Sequence, residues 1–165
     1  MRVLIAHNTL NSVGGGERVC LHIVKALMDA GFNVSLATVE KTNWKKVLDV
    51  MGIDLPKIPR EYSLVRSLRM FGIYQRQLLS MNVARLRKRF DLVINTHGDV
   101  MIVPSDITYM HFPTLVIMKG EWSPYTKYSK SIFWRIYFKP YESVMPVSYT
   151  HLRAHETEAD LVCRL

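Results

Sequence analysis

Residues 2 to 38 leave little freedom of topology. Arg2 to Ala6 is a short apolar run with no polar alternation, as expected of a strand buried on both faces. A loop follows, Asn8-Thr-Leu-Asn-Ser-Val-Gly-Gly-Gly-Glu-Arg18. Glu17 to Ala30 then has helical periodicity: Arg18, His22, Lys25 and Asp29 fall on one polar stripe. Val19, Ile23, Ala26, Leu27 and Ala30 are expected on the buried face, and Gly31 at the C-cap. Asn33 to Thr38 reads as a second strand. Strand, helix and strand in so short a span predict a right-handed parallel crossover, the unit of an α/β sheet with helices on its faces.

Downstream, Asn43 to Met51 predicts a short helix ending at Gly52, and Pro56 and Pro59 mark a loop. Tyr62 to Phe90 reads as helical, with an interruption near Gly72. Asp91 to Asn95 and Ile107 to Met110 predict two more strands, and the aromatic segment from Tyr125 to Tyr141 a last helix. The chain is 165 residues long and 48% hydrophobic, which suits a folded α/β domain rather than a disordered segment.

The balance of charge points to an anionic partner, with 22 Lys and Arg against 14 Asp and Glu. Cys20 and Cys163 are too far apart in sequence for metal-ligand spacing or a disulfide framework, and Cys20 reads as a small core residue. The apolar run at the start is too short for a signal peptide, and no stretch is long enough to span a bilayer. No nucleic-acid-binding motif is present, so nucleic acid is not an expected partner.

Chemistry concentrates after the strands. Gly14, Gly15 and Gly16 let another molecule approach the backbone closely, and a helix N-terminus behind them favours phosphate. The spacing is neither G-x-G-x-x-G nor a P-loop, and Glu17 also suits the positive end of the helix dipole. His7, His97 and His111 each follow a predicted strand, at the sheet edge where open α/β folds bind ligands. They lack Cys or carboxylate companions at ligand spacing, so no metal is expected. Arg66, Arg69, Arg76, Arg85, Arg87, Lys88 and Arg89, interleaved with apolar residues, read either as a solvated face or as a surface for anionic lipid. The basic aromatic segment 125–141 has the same two readings.

Three blocks carry a resemblance. Gly14-Gly-Gly-Glu-Arg-Val19 resembles the GGGGERV loop of retaining family 4 glycosyltransferases with the GT-B fold. Asp91-Leu-Val-Ile-Asn-Thr-His-Gly98 resembles the DVYIDSMG strand, and Tyr109-Met-His-Phe-Pro-Thr114 the YVHYPT motif, of the GDP-mannose-dependent mannosyltransferases of lipid-linked oligosaccharide synthesis. The resemblance implies a Rossmann-like parallel sheet flanked by helices, the N-terminal, acceptor-side half of a GT-B enzyme. It implies a nucleoside diphosphate sugar as donor substrate (GDP-mannose or a UDP-sugar), with no other cofactor. It also implies a lipid-linked or glycan acceptor and a peripheral position on the cytoplasmic face of an anionic membrane. Gly14, Gly15, Gly16 and Glu17 would lie by the donor diphosphate, and His111 would act at the transferred sugar. His7, Thr96, His97, Pro113 and Thr114 would line the acceptor and sugar side.

The likeness covers residues 1–146. Residues 147–165 do not continue the family pattern and read as a non-native tail. The second α/β domain with its E-x7-E motif is missing, so the chain is expected to be an inactive fragment. The alternative from the residues alone is a stand-alone α/β module that binds phosphate or anionic lipid without catalysis.

Overall fold

The computed structural model describes residues 1–65, 72–98, 103–111 and Ile132. The chain divides into two compact units, Met1–Phe112 and Pro113–Leu165, and every element below belongs to the first. The expected helix 125–141 (apart from Ile132), Arg66, Arg69, Pro113, Thr114 and the 147–165 tail lie outside the described residues.

Five parallel strands form the sheet, in the order β3-β2-β1-β4-β5. They are β1 (Arg2–Ala6), β2 (Asn33–Glu40), β3 (Arg60–Val65), β4 (Leu92–Asn95) and β5 (Ile107–Thr108). The helices are α1 (Gly15–Asp29), α2 (Trp44–Met51) and α3 (Gly72–Leu86), with a 3-10 turn at Arg87–Arg89. This is the α/β, Rossmann-like arrangement that the first crossover predicts.

Strand alternation divides the core between the two faces. Val3, Ile5, Val34 and Leu36 pack with Cys20, Leu21 and Val24 of α1 and Val47 and Met51 of α2. Leu4, Ala6, Ala37 and Val39 pack with Leu79, Val83 and Leu86 of α3, and with Phe90 and Val93. β1 contributes to both faces and is almost wholly buried, which is why its sequence shows no polar alternation.

The termini of α1 and α2 follow local chemistry. Gly31 adopts φ +82 after Ala30; Phe32 N–H bonds the Leu27 carbonyl and Gly31 N–H bonds that of Met28, a Schellman end. Asn43 caps α2 by accepting from Lys46 N–H at 3.2 Å.

Two expectations need correction. The buried residues of α1 are Cys20, Leu21, Val24 and Met28; Val19, Ile23 and Leu27 flank them half-buried, while Ala26 and Ala30 are exposed. Arg18, His22 and Asp29 of the polar stripe are exposed, but the larger side chains on the neighbouring line take the core. The second concerns residues 62–65, which belong to the edge strand β3 rather than to a helix. Tyr62 and Leu64 pack on the α3 side. Glu61 holds the strand by accepting from the Thr38 hydroxyl and from both the N–H and the hydroxyl of Thr42. Strand β2 also runs on to Glu40, and β5 stops at Thr108.

Candidate functional site

In the sheet, β1 lies between β2 and β4. The chain leaves β1 for one side of the sheet and later returns to the other, so the β1–β4 boundary is a topological switch point. Ligands of open α/β sheets bind outside the carboxyl ends of strands at such a point. His7 follows β1 there, Thr96 and His97 follow β4, and His111 follows β5. The first turn of α1 begins with Gly15.

Thr96 ties these segments together. Its N–H donates to the Ala6 carbonyl at 3.0 Å, and its hydroxyl reaches the same oxygen at 3.3 Å. His7 Nδ1 lies 3.0 Å from the Thr96 hydroxyl oxygen. Since that hydroxyl donates to Ala6, it accepts from His7, and Nδ1 carries the proton. The Thr96 carbonyl accepts from His111 Nε2 at 3.1 Å. A carbonyl cannot donate, so His111 carries its proton on Nε2, and in the neutral ring Nδ1 holds the lone pair.

The His111 ring also sets a requirement at Gly16. A Cβ on Gly16 would stand 3.2 Å from His111 Nε2, closer than side chains ordinarily pack. Gly15 has nothing within 4 Å of the corresponding position. Close approach therefore bears on the third glycine, against His111, and on the first, where a Cβ on Gly14 would stand 2.8 Å from Glu17 Oε2.

Glu17 organises the start of α1. Its Oε2 accepts from Gly14 N–H at 2.9 Å. Its Oε1 faces His7 Nε2 at 3.9 Å, and this buried nitrogen has no hydrogen-bond partner. Arg18 N–H makes the first helical bond, to the Gly14 carbonyl. Among the described residues, no acceptor meets the N–H groups of Gly15 and Gly16, while the Glu17 carboxylate engages its own N–H as well as that of Gly14. Two amides therefore remain to attract an anion. Val13, immediately before, holds φ +51, a left-handed conformation rare for a β-branched residue.

The charges of the three histidines differ. Burial opposes a charge on His7, but the Cys20 sulfur and the Glu17 carboxylate outweigh it and raise its pKa to about 9. The nearby His7 imidazole is in turn the largest cause holding Glu17 down, to about 2. His97 packs edge-on against His7 with ring centres 5.2 Å apart. Burial first, then the positive charges of His7 and Arg76, lower His97 to about 3. At neutral pH one imidazole of the pair is therefore a cation and its neighbour is neutral. The Tyr109 ring meets His111 edge-on at 4.9 Å.

The structure thus gathers His7, Gly14, Gly15, Gly16, Glu17, Thr96, His97 and His111 at one edge. It does not gather the basic residues into a common role. Arg76 is half-buried and acts on His97. Arg87 pairs with Asp106 at 2.6 Å, while Arg85, Lys88 and Arg89 are exposed. Among the described residues no three His, Cys, Asp or Glu side chains are placed to hold a metal, and no helix is long and apolar enough to cross a membrane.

Sequence reasoning missed two contributors. Asn95 turns the chain after β4, its amide donating to the Gly98 carbonyl and its oxygen accepting from His97 N–H. Cys20, buried as expected, also acts on His7. Its spacing of three from Glu17 was the available signal, since residues so spaced share a helix face. Comparison with models of known protein families, with curated proteins and with solved structures returns no match.

Proposed function

We propose that this chain is the acceptor-side α/β domain of a retaining glycosyltransferase. It would take a hexose, mannose foremost, from a nucleoside diphosphate sugar and pass it to a hydroxyl of a lipid-linked or glycan acceptor. One observation carries the reading: the glycine block, the Asn95-Thr-His97 block and the Tyr109-Met-His111 block, far apart in sequence, meet at the switch point through Gly16, Thr96 and His111.

In this reading the free amides of Gly15 and Gly16 stabilise charge on the leaving diphosphate. The His7 cation offsets Glu17, so the carboxylate does not repel the incoming anion. His111 offers Nδ1 to a sugar hydroxyl. The anomeric bond to the diphosphate breaks, a bond to the acceptor oxygen forms, and the acceptor proton leaves with the diphosphate. Pro113 and Thr114 continue the sugar side. The exposed Arg85 and Lys88 face anionic lipid at the cytoplasmic surface of a membrane.

Amide NMR of the full chain titrated with GDP-mannose, UDP-glucose and inorganic diphosphate tests the reading. Both sugar and diphosphate should shift Gly15, Gly16 and Glu17, and only the sugar donors should move the His111 ring. His111→Ala should lose the sugar-dependent part alone. If diphosphate acts as strongly as the donors and His111 never responds, the chain is a phosphate-binding module instead. Silence of all three amides would sink both readings.

A further inference from the structure

The opposite end of the sheet carries a second cluster, independent of the histidine site. Arg2 opens β1, Arg60 opens β3, and Arg89 ends the 3-10 turn before β4; all three line one cleft of about 280 Å³. Register explains their convergence. Arg2 pairs with Asn33, and Ser35 with Arg60, on adjacent parallel strands. By strand alternation these side chains share the face of Leu4, Ala37 and Tyr62, which is the α3 side. Phe90 closes the cleft, its ring edge-on to Tyr62 at 6.0 Å.

Positive charge in the cleft exceeds negative. Asp91 pairs with Arg2 at 3.1 Å. Arg60 lies over the Tyr62 ring at 5.0 Å and has no ion pair among the described residues. Arg89 is exposed and likewise has no ion pair among the described residues. Ser35 is 6% exposed and lines the cleft. Its hydroxyl can donate to an oxyanion, and the guanidinium groups of Arg60 and Arg89 can only donate, so the lining is rich in donors.

The geometry points to an anion site that takes a phosphate group, free or carried on a small soluble ligand. Surplus cations and donors exclude a cationic ligand, and guanidinium forks match tetrahedral oxyanions in pairs of hydrogen bonds. The cleft is at the small end of ligand sites, which run from about 300 Å³ upward. Ser35 supplies the buried donor, Arg60 and Arg89 the charge, and Tyr62 and Phe90 an apolar wall for any organic part.

The test is amide NMR of the full chain at low ionic strength, titrated with inorganic phosphate, glycerol 3-phosphate or matched chloride. Both phosphates should give saturable shifts at Ser35, Arg60 and Tyr62, and chloride none. Tighter binding of the ester identifies a phosphorylated metabolite as the ligand class, and equal binding identifies free phosphate. Ser35→Ala removes one hydroxyl and keeps the strand backbone, so affinity should fall roughly tenfold, as for one hydrogen bond to a charged group, with the amide spectrum otherwise unchanged. Arg89→Ala, at an exposed and unpaired position, should weaken binding at least as much. Gly15 and Gly16 should respond to phosphate identically in both variants, which separates this site from the one at the carboxyl edge. Unsaturable shifts, or affinities unchanged in both variants, would overturn the proposal.

Discussion

His111 Nε2 lies 3.2 Å from the point where a Cβ on Gly16 would stand, while it donates to the Thr96 carbonyl at 3.1 Å. The imidazole is held between a helix start and a strand end, and neither can yield without moving the other.

Gly16→Ala should therefore displace the ring even though alanine suits a helix better than glycine. Stability should change by no more than about 1 kcal/mol, since improved propensity offsets the crowding. The His111 ring ¹⁵N signals should lose the pattern of an Nε2–H tautomer. Gly15→Ala, with open space around it, should be neutral or stabilising by up to about 1 kcal/mol and leave those signals alone. Identical spectra for both variants would refute the close-approach argument.

Stability should peak near pH 6.5. His7, raised from 6.5 to about 9, contributes fully below pH 6.5 and loses that contribution as pH rises through 9. His97, lowered from 6.5 to about 3, acts in the opposite sense, and its contribution falls as pH drops from 6.5 toward 3. Glu17, lowered from 4.5 to about 2, adds to the acid limb below pH 4.5. Urea unfolding across pH 4 to 9 should show a loss on the order of a few kcal/mol on the alkaline side. His7→Gln should flatten that limb. A wild-type profile level from pH 6.5 to 9 would contradict the His7 assignment.

Glu17→Gln separates the two tasks of this side chain. Glutamine can still accept from Gly14 N–H, so the capping function survives and the cost should be about 1 kcal/mol. The charge is gone, so His7 should titrate below its wild-type position, which ring ¹⁵N shifts measure directly. An unmoved His7 would assign its elevation to Cys20 alone.

Asn43→Ala should cost about 1 kcal/mol, because Lys46 N–H loses its acceptor at the start of α2. Asn43→Ser should restore most of it. Equal melting temperatures for wild type and Asn43→Ala would show that the cap is redundant.

The first crossover was legible because its signals agree. An unbroken apolar strand, a glycine loop and a helical period all specify one unit, and the positions of His7 and Glu17 followed from it. His97 and His111 were legible for the same reason, as residues just beyond strands. β3 was not, since Arg-Glu-Tyr-Ser-Leu-Val is an edge strand whose stability comes from Glu61 bonding Thr38 and Thr42 across the chain. No local pattern reports such a contact. The link between Cys20 and His7 was hidden for a related reason: burial explains a cysteine so readily that its neighbour goes unexamined. The amino-edge cleft depends on the register of three strands, which composition does not reveal.

The central position of β1 has a consequence for how the chain is made. Its first neighbour, β2, is complete by Glu40, but the other, β4, ends at Asn95. At about 5–20 residues per second, synthesis delivers β4 on the order of 3–11 s after β2. For that interval the most apolar strand of the sheet has one open edge and one uncovered face. The nascent chain is then most open to wrong pairing, and slowing synthesis between Glu40 and Asn95 should lower the yield of folded protein more than slowing it anywhere else.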